Sequence, residues 1–360
     1  MRIYAFHLLN DFSGSPKVLS QLIKGWDEND IDVHVCSSFQ NHGFLSGLSP
    51  WITRHSVWYR FYENKLLRLA ALVLSQIFLI VRFLFIVKKE DIIYVNTVLP
   101  FGAALLGNLK GCRIIYHLHE TTMKPVILKK ILFGIVKFTA SEVIYVSGFL
   151  ADEEPMQGIK THILHNAIPE EFIKRANSFP RDRTMPQNIL MVCSLKTYKG
   201  LHEFTKLAER LKKYRFRMVI NAPIEEIEVF FKGTESPKNL EIYPTQRDVI
   251  PHFAWADLIM NLSHPEGWVE TFGLTIIEGM AFGMPAIVPP VGGITEVVED
   301  GFNGYHLDPL NMDALEKAVQ SLFLNSQLYQ QLSANARIKL SEFREKAFIE
   351  GSLRILEDAG

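Results

Sequence analysis

HPEGWVETFGLTIIEGMAFGMPAIVPP, residues 264 to 290, holds two glutamates, Glu270 and Glu278, eight positions apart. Between them, Thr271-Phe272-Gly273 reads as a helix start, with Thr as a cap and Gly letting a ligand approach the backbone. From Leu274 to Ala281 the only polar side chains are Thr275 and Glu278, and Gly283 and Pro285 then stop the helix. A helix apolar on nearly every face is buried. A carboxylate on it must be paired, hydrogen-bonded or turned to a polar cavity, because burying a bare charge is too costly. The spacing predicts a cavity that Glu278 enters from the helix and Glu270 from the preceding loop. The amides of the helix start, near Gly273 and Leu274, point at an anion between them.

A surface turn with two unrelated glutamates would satisfy the spacing alone. The whole string, Glu-x-Phe-Gly-Leu-x-x-x-Glu-Gly-Met-Ala-x-Gly-x-Pro, is far more specific. It resembles the signature of family-4 retaining glycosyltransferases, GT-B enzymes that move a sugar from a nucleotide-sugar donor. The resemblance runs over nearly the whole chain and is strongest from Asp257 to Asp308, where Pro290-Val291-Gly292-Gly293 and Glu296 continue the pattern.

At 360 residues two domains are expected. The net charge of −1 hides an asymmetry: Met1 to Ala167 carries 17 Lys and Arg against 13 Asp and Glu, the remainder 21 against 26. Arg54 to Lys137 alone holds 13 basic and 4 acidic residues, a local net of +9. Such a concentration implies an anionic partner, phosphate groups or a membrane surface, with no nucleic acid expected. Cys36, Cys112 and Cys193 lie in apolar runs without metal-ligand spacing and read as reduced, buried residues of a cytosolic protein. Arg2 to Phe6 reads as a first strand rather than a signal peptide.

That strand leads through Asn10 to Pro16, with Gly14, into a helical pattern from Lys17 to Trp26. Strand, glycine-bearing loop and helix can present amides to a phosphate or sugar, although no G-x-G-x-x-G is present. Ile31 to Cys36 is a second strand. Pro50 to Lys65 interleaves Trp51, Trp58, Tyr59, Phe61 and Tyr62 with Arg54, His55 and Arg60, the make-up of a small core under a loop or of a membrane-interface segment. Leu66 to Val87 is a long apolar run in which Arg68, Ser75 and Arg82 fall seven apart as one polar stripe. Two arginines make a transmembrane span costly, and a sheet-packed helix with one apolar face left over is favoured. The strand Arg113 to His119 ends in a histidine at the carboxyl end, where open α/β sheets place ligands. Lys124 to Phe138 forms a basic amphipathic helix, and Glu142 to Ser147 and Thr161 to Leu164 are further strands.

The polar segment Lys174 to Gln187 is a connection. Strands follow at Asn188 to Cys193, Arg217 to Asn221, Leu240 to Tyr243, Asp257 to Leu262 and Ala286 to Val288. Asp300 to Gly304 is a turn, and Asp313 to Leu324 and Leu328 to Glu357 are helical. Ser194 to Gly200, SLKTYKG, resembles the family's phosphate loop with Lys199 and Gly200 kept. The arginine usual at Ser194 is absent, removing a bidentate phosphate partner for which Lys196 is a candidate substitute. After Asn221 the family's Gly-rich turn is also missing.

The resemblance implies α/β architecture of the GT-B kind: two Rossmann-like, doubly wound domains facing a cleft. The acceptor-side domain covers residues 1–167 plus a crossing helix at about 343–360, and the donor domain covers 168–342. By the same resemblance His119 lies near the transferred sugar, Glu270 contacts it, and Glu278 holds the ribose. Lys199 and the Gly273 and Leu274 amides neutralise the diphosphate, Gly200 and Phe272 also bind the donor, and Gly14 faces it. The donor is a UDP- or GDP-sugar, with no cofactor and no metal. The resemblance implies a hexosyltransferase. The aromatic loop, the basic helix and the local net of +9, without a signal peptide, add the expectation of a cytoplasmic protein peripheral at the inner face of the cell membrane, acting on a glycan or lipid-linked acceptor of lipopolysaccharide, O-antigen or capsule type. A nucleotide-sugar epimerase and a catalytically weak nucleotide-sugar-binding scaffold are the alternatives.

Overall fold

The computed structural model describes residues 1–38, 42–179 and 186–358. Two compact units partition the chain: Met1–His165 with the segment from Lys346 onward, and Asn166–Glu345. In unit 1, seven parallel strands run β1 (Arg2–Leu9), β2 (Asp32–Ser38), β3 (Thr53–Ser56), β4 (Ile92–Asn96), β5 (Arg113–Leu118), β6 (Glu142–Tyr145) and β7 (Lys160–Ile163). Their spatial order is β3-β2-β1-β4-β5-β6-β7. The helices α1 (Gly14–Asp27), α2 (Lys65–Phe83), α3 (Phe101–Lys110), α4 (Val126–Thr139) and α5 (Gly148–Glu153) alternate with them.

Unit 2 repeats the plan. Its six parallel strands are β8 (Asn188–Ser194), β9 (Arg215–Asn221), β10 (Leu240–Tyr243), β11 (Leu258–Met260), β12 (Ala286–Val288) and β13 (Gly304–His306), ordered β10-β9-β8-β11-β12-β13. Its helices are α6 (Glu170–Asn177), α7 (Leu201–Arg210), α8 (Ile224–Phe230), α9 (Ile250–Trp255), α10 (Leu274–Ala281), α11 (Ile294–Val297), α12 (Met312–Leu324) and α13 (Ser326–Leu340). The last helix, α14 (Glu345–Glu357), lies almost wholly within unit 1. Central strands such as β4 and β11 are buried at every position, which is why they read as unbroken apolar runs rather than alternating ones. Strand order reverses at β1/β4 in unit 1 and at β8/β11 in unit 2, and open α/β sheets bind ligands beyond the carboxyl ends of such strands.

The apolar run after Leu66 is a sheet-packed helix. Asn64 caps α2 by accepting from the Leu66 and Leu67 amides. Its inner side buries Ala71, Leu72, Leu79 and Phe83, and the Phe83 ring meets Tyr4 and Phe6 of β1 edge-on. Gln76 accepts from the Gly102 amide at 2.9 Å, pinning α2 to α3. Of the polar stripe only Ser75 is fully buried, donating to the Leu72 carbonyl; half-buried Arg68 lies over the Phe61 ring, and exposed Arg82 donates to the Ser56 carbonyl.

Several expectations are corrected. Thr271 is not the cap of α10; that position is Gly273, at φ +111°, so the turn is made by backbone conformation rather than by a side-chain bond. Gly14 is the first residue of α1, one turn earlier than the helical pattern indicates. Leu328 to Glu357 is not one helix, because a 3-10 turn at Ser341–Phe343 and extended backbone at Arg344 divide it. Two further strands stand where none was expected: β3 inside the aromatic and basic stretch Pro50 to Lys65, and β13 directly after the Asp300 turn. Cys193 is half-buried rather than buried. Of the connection from Lys174, the first part belongs to α6, and residues 180–185 lie outside the described residues.

Candidate active site

In unit 2 two loops meet beyond the switch point, one leaving β8 and one leaving β11. The β8 loop makes a 3-10 turn at Thr197–Lys199 and then Gly200 at φ +78°, from which α7 starts. A Cβ on Gly200 would collide with the Leu262 carbonyl, so glycine is required both by conformation and by space. The Tyr198 carbonyl accepts from the His264 amide at 2.7 Å and ties the loops together. Tyr198 also stacks on Trp268, with centroids 5.8 Å apart and planes at 13°. Gly267 permits this approach, since a Cβ there would stand 2.6 Å from that of Tyr198.

Between these loops the Lys199 ammonium is ion-paired with Glu270, and it sits 5.7 Å from the Trp268 ring centroid and 5.9 Å from that of Tyr198. Ser263 donates to the same carboxylate at 2.8 Å. Burial alone would raise the Glu270 carboxyl; the Lys199 charge, with hydrogen bonds from Lys199, Ser263 and Asn261, outweighs it and holds the group below the usual carboxylate range. Glycine 292, at φ +116°, lies so close that a Cβ would strike the Glu270 carbonyl. Gly273 and Leu274 begin α10 directly after this loop, and Glu278 is buried one turn along the helix. Lys196 is exposed at the head of the β8 loop. The Phe272 ring is buried edge-on against Phe343, so at this site the residue offers backbone rather than side chain.

Unit 1 has its own cluster at the corresponding place. Gly14 opens α1 after β1, and His119 follows β5. Asn96, the last residue of β4, joins them: its Nδ2 donates to the Ser15 carbonyl at 3.1 Å and to His7 Nδ1 at 3.0 Å. A carbonyl can only accept, so the amide orientation is set and Oδ1 must face His119 Nε2, 2.8 Å away. His119 therefore carries its proton on Nε2. Burial, then the neighbouring His117 and His7, pushes its pKa well below the ordinary value and keeps the ring neutral. The His117 ring, 4.3 Å from that of His119, is pushed down to about 3 by burial and bonds Tyr94 through Nδ1. Glu120 accepts from the Val98 and His119 amides, and burial raises it to about 7. Thr97, between these groups, has φ +73°, a conformation costly for a β-branched residue.

Thus the structure brings Lys199, Glu270, Gly200 and the start of α10 together in unit 2, and sets His119 and Gly14 near each other's strands in unit 1. Sequence reasoning missed Asn96, His7, Ser263 and the Tyr198–Trp268 stack. Asn96 and His7 are polar residues toward strand carboxyl ends, the signal that singled out His119. Among the described residues no group of three His, Cys, Asp or Glu is placed to hold a metal ion.

Comparison with known proteins follows the same division. A model described as "Glycosyltransferase Family 4" matches residues 12–172, and one described as "Glycosyl transferases group 1" matches 173–339. A sucrose synthase of Melioribacter roseus is 36% identical over 77 residues, 20% of this chain and 10% of that protein. The aligned stretch is thus a small fraction of that relative's length. An N-acetyl-alpha-D-glucosaminyl L-malate synthase of Bacillus anthracis is 26% identical over 300 residues, 73% of each chain. In structure, HepE of Anabaena, solved with UDP and glucose, superposes with a TM-score of 0.80 at 18% identity, covering 99% of this chain and 100% of that one. With the two family models together covering residues 12–339, and two parallel α/β units of the GT-B kind, the chain belongs to glycosyltransferase family 4, the group 1 glycosyltransferases.

Proposed function

We propose that the chain is a retaining hexosyltransferase that takes its sugar from a nucleoside diphosphate sugar, with UDP the first candidate because HepE is solved with UDP and glucose. The observation that carries the reading is the meeting of Lys199 with Glu270 at the β8/β11 switch point, beside the amides that open α10. Unit 2 takes the donor. Glu278 holds the ribose hydroxyls and Glu270 the sugar, while Lys199, Lys196 and the Gly273 and Leu274 amides face the diphosphate. As the bond from the anomeric carbon to the β-phosphate oxygen breaks, its electron pair leaves with the phosphate. Preorganised cation and dipoles stabilise that charge without reorganising, and no metal ion is needed. The acceptor hydroxyl attacks from the face the phosphate leaves, and its proton passes to the departing oxygen. Unit 1 takes the acceptor, with neutral His119 as a hydrogen-bonding partner for sugar hydroxyls.

The acceptor is a lipid-linked or surface-polysaccharide precursor met at the cytoplasmic face of the cell membrane. Supporting this is the net of +9 over Arg54 to Lys137, together with the aromatic loop it contains. The test is a panel of UDP- and GDP-sugars, scored for nucleotide release and for the anomeric configuration of any product. Release from a UDP-sugar, unchanged by a chelator and with retained configuration, is the expected result. Interconversion of free donor without transfer would replace the reading with an epimerase, and nucleotide binding without turnover on any acceptor would replace it with a binding scaffold.

A further inference from the structure

Helix α2 is the one helix among the described residues long and apolar enough to cross a membrane, yet its inner side is committed to the sheet. Extracting it would unpack Leu79 and Phe83 and break the Gln76 bond to Gly102. Its outer side is a continuous apolar stripe: Leu66, Val73, Leu74, Ile77, Phe78 and Val81 are all exposed, Leu66 by 79%. Nineteen residues at 1.5 Å each make this stripe about 28 Å long. Helix α4 presents a second one, with Val126, Ile127, Ile131 and Phe138 exposed, Ile127 by 72%. Both helices pack against α3, so the two stripes belong to one layer of unit 1. A soluble protein rarely leaves this much contiguous apolar surface uncovered.

The surrounding charge identifies the cover. Lys65, Lys124, Lys130 and Lys137 are exposed on or beside the two helices, and no acidic side chain pairs with them among the described residues. Of the four acidic residues between Arg54 and Lys137, two turn inward: Asp91 is buried and accepts from the Lys88 amide, and Glu120 accepts from the Val98 and His119 amides. A second copy of the chain packed two-fold on this layer would set the same basic fringe against itself. An anionic bilayer matches both the apolar stripes and the fringe.

Placement ties the layer to the site. A helix that follows a parallel strand starts at the carboxyl edge of the sheet, so the first turns of α2 and α4 border the edge at which His119 stands. His119 precedes Val126 by seven residues.

We propose that α2 and α4 seat unit 1 in the surface of an anionic bilayer, lying in its plane, so that an acceptor anchored in lipid meets the His119 edge at the membrane. This rests on the transferase reading for the acceptor but not for the docking. Sedimentation with phosphatidylglycerol vesicles and with phosphatidylcholine vesicles is the experiment, on the full chain and two variants whose altered side chains are all exposed. The unaltered protein should pellet with the anionic vesicles and release as salt rises. Leu74→Glu with Phe78→Glu should weaken vesicle binding tenfold or more. Lys130→Glu with Lys137→Glu should weaken binding to the anionic vesicles alone, by about fivefold or more per residue at low salt. Nucleotide release from a soluble donor should be unchanged in both. A protein that stays in the supernatant with both vesicles at low salt overturns the docking surface. So does sedimentation equilibrium showing a dimer that Leu74→Glu dissolves. Loss of donor turnover in every protein, with vesicle binding intact, would instead sink the transferase reading and leave the docking standing.

Discussion

The polar clusters that close the two sheets share a βα plan and hold opposite electrical states. In unit 2 the Lys199 ammonium meets the Glu270 carboxylate and, with hydrogen bonds from Ser263 and Asn261, holds that carboxyl below its usual range in a half-buried place. In unit 1 His7, His117 and His119 are equally enclosed but face amides, a phenol and one another, so burial leaves them neutral. The lesson is that the sheet edge alone does not decide chemistry. In unit 2 a buried carboxylate is kept ionised by the cation beside it, whereas in unit 1 neutral rings are held by hydrogen bonds alone.

Removing the charged partner should have the largest effect. Lys199→Ala is expected to cut turnover by roughly 10²-fold or more, the scale of a lost transition-state donor. Steady-state rates check this, and rates equal to the unaltered enzyme's would shift the diphosphate contact to Lys196. A smaller, more selective effect should separate the two glutamates. Glu278→Gln should weaken binding of the free nucleotide by about tenfold, the worth of a charge-assisted hydrogen bond present in ground and transition states alike. Glu270→Gln should mainly lower kcat. Calorimetry with nucleotide beside kinetics tests the division, and equal losses of nucleotide affinity would abolish it.

The neutral cluster makes the smallest prediction, one of slope. Unfolded imidazoles bind protons below about pH 6.5 and these folded ones do not, so their contribution to stability is complete above that pH and lost as pH falls. Glu120 works the other way: its folded value of about 7 exceeds the ordinary 4.5, so its contribution is complete below 4.5 and lost as pH rises to 7. Between those limits the two trends oppose. Glu120→Gln removes one of them, and unfolding free energy should then climb with pH more steeply, by about 1.4 kcal/mol per pH unit. Denaturant titrations at several pH values measure it; an unchanged slope would mean that Glu120 is ionised in the folded protein.

The elements that were legible in the sequence carry local, redundant signals. Helix α10 is announced by its apolar run and by Gly273 and Gly283, both with positive φ. The helical character of α2 is visible in the seven-residue spacing of Arg68, Ser75 and Arg82, a narrow polar stripe in an apolar run. Strand β3, Thr-Arg-His-Ser, has no apolar alternation because it lies at a sheet edge, mostly open to solvent. The pairing of Lys199 with Glu270 spans 71 positions, and that of His119 with Asn96 spans 23. No periodicity encodes such contacts, which come into being only when strands from separate βα units line up. The break at Ser341–Phe343 escaped for another reason, since its residues are compatible with a helix and only the surrounding packing turns the chain.

The return of α14 to unit 1 has a consequence for how the protein is made. The Trp26 indole donates to Ser352 Oγ at 3.1 Å, Ile349 fills the space over Gly25, and Arg113 donates to the carbonyls of Ile355 and Leu356. Unit 2 is contiguous and can close as soon as Glu345 is clear of the ribosome. Unit 1, although synthesised first, must wait for the chain to emerge beyond it before its own wall is complete. Domains ordinarily fold in the order of synthesis; here the first-made unit is the last finished. During that interval the apolar outer stripe of α2 stands on a domain whose own wall is still incomplete.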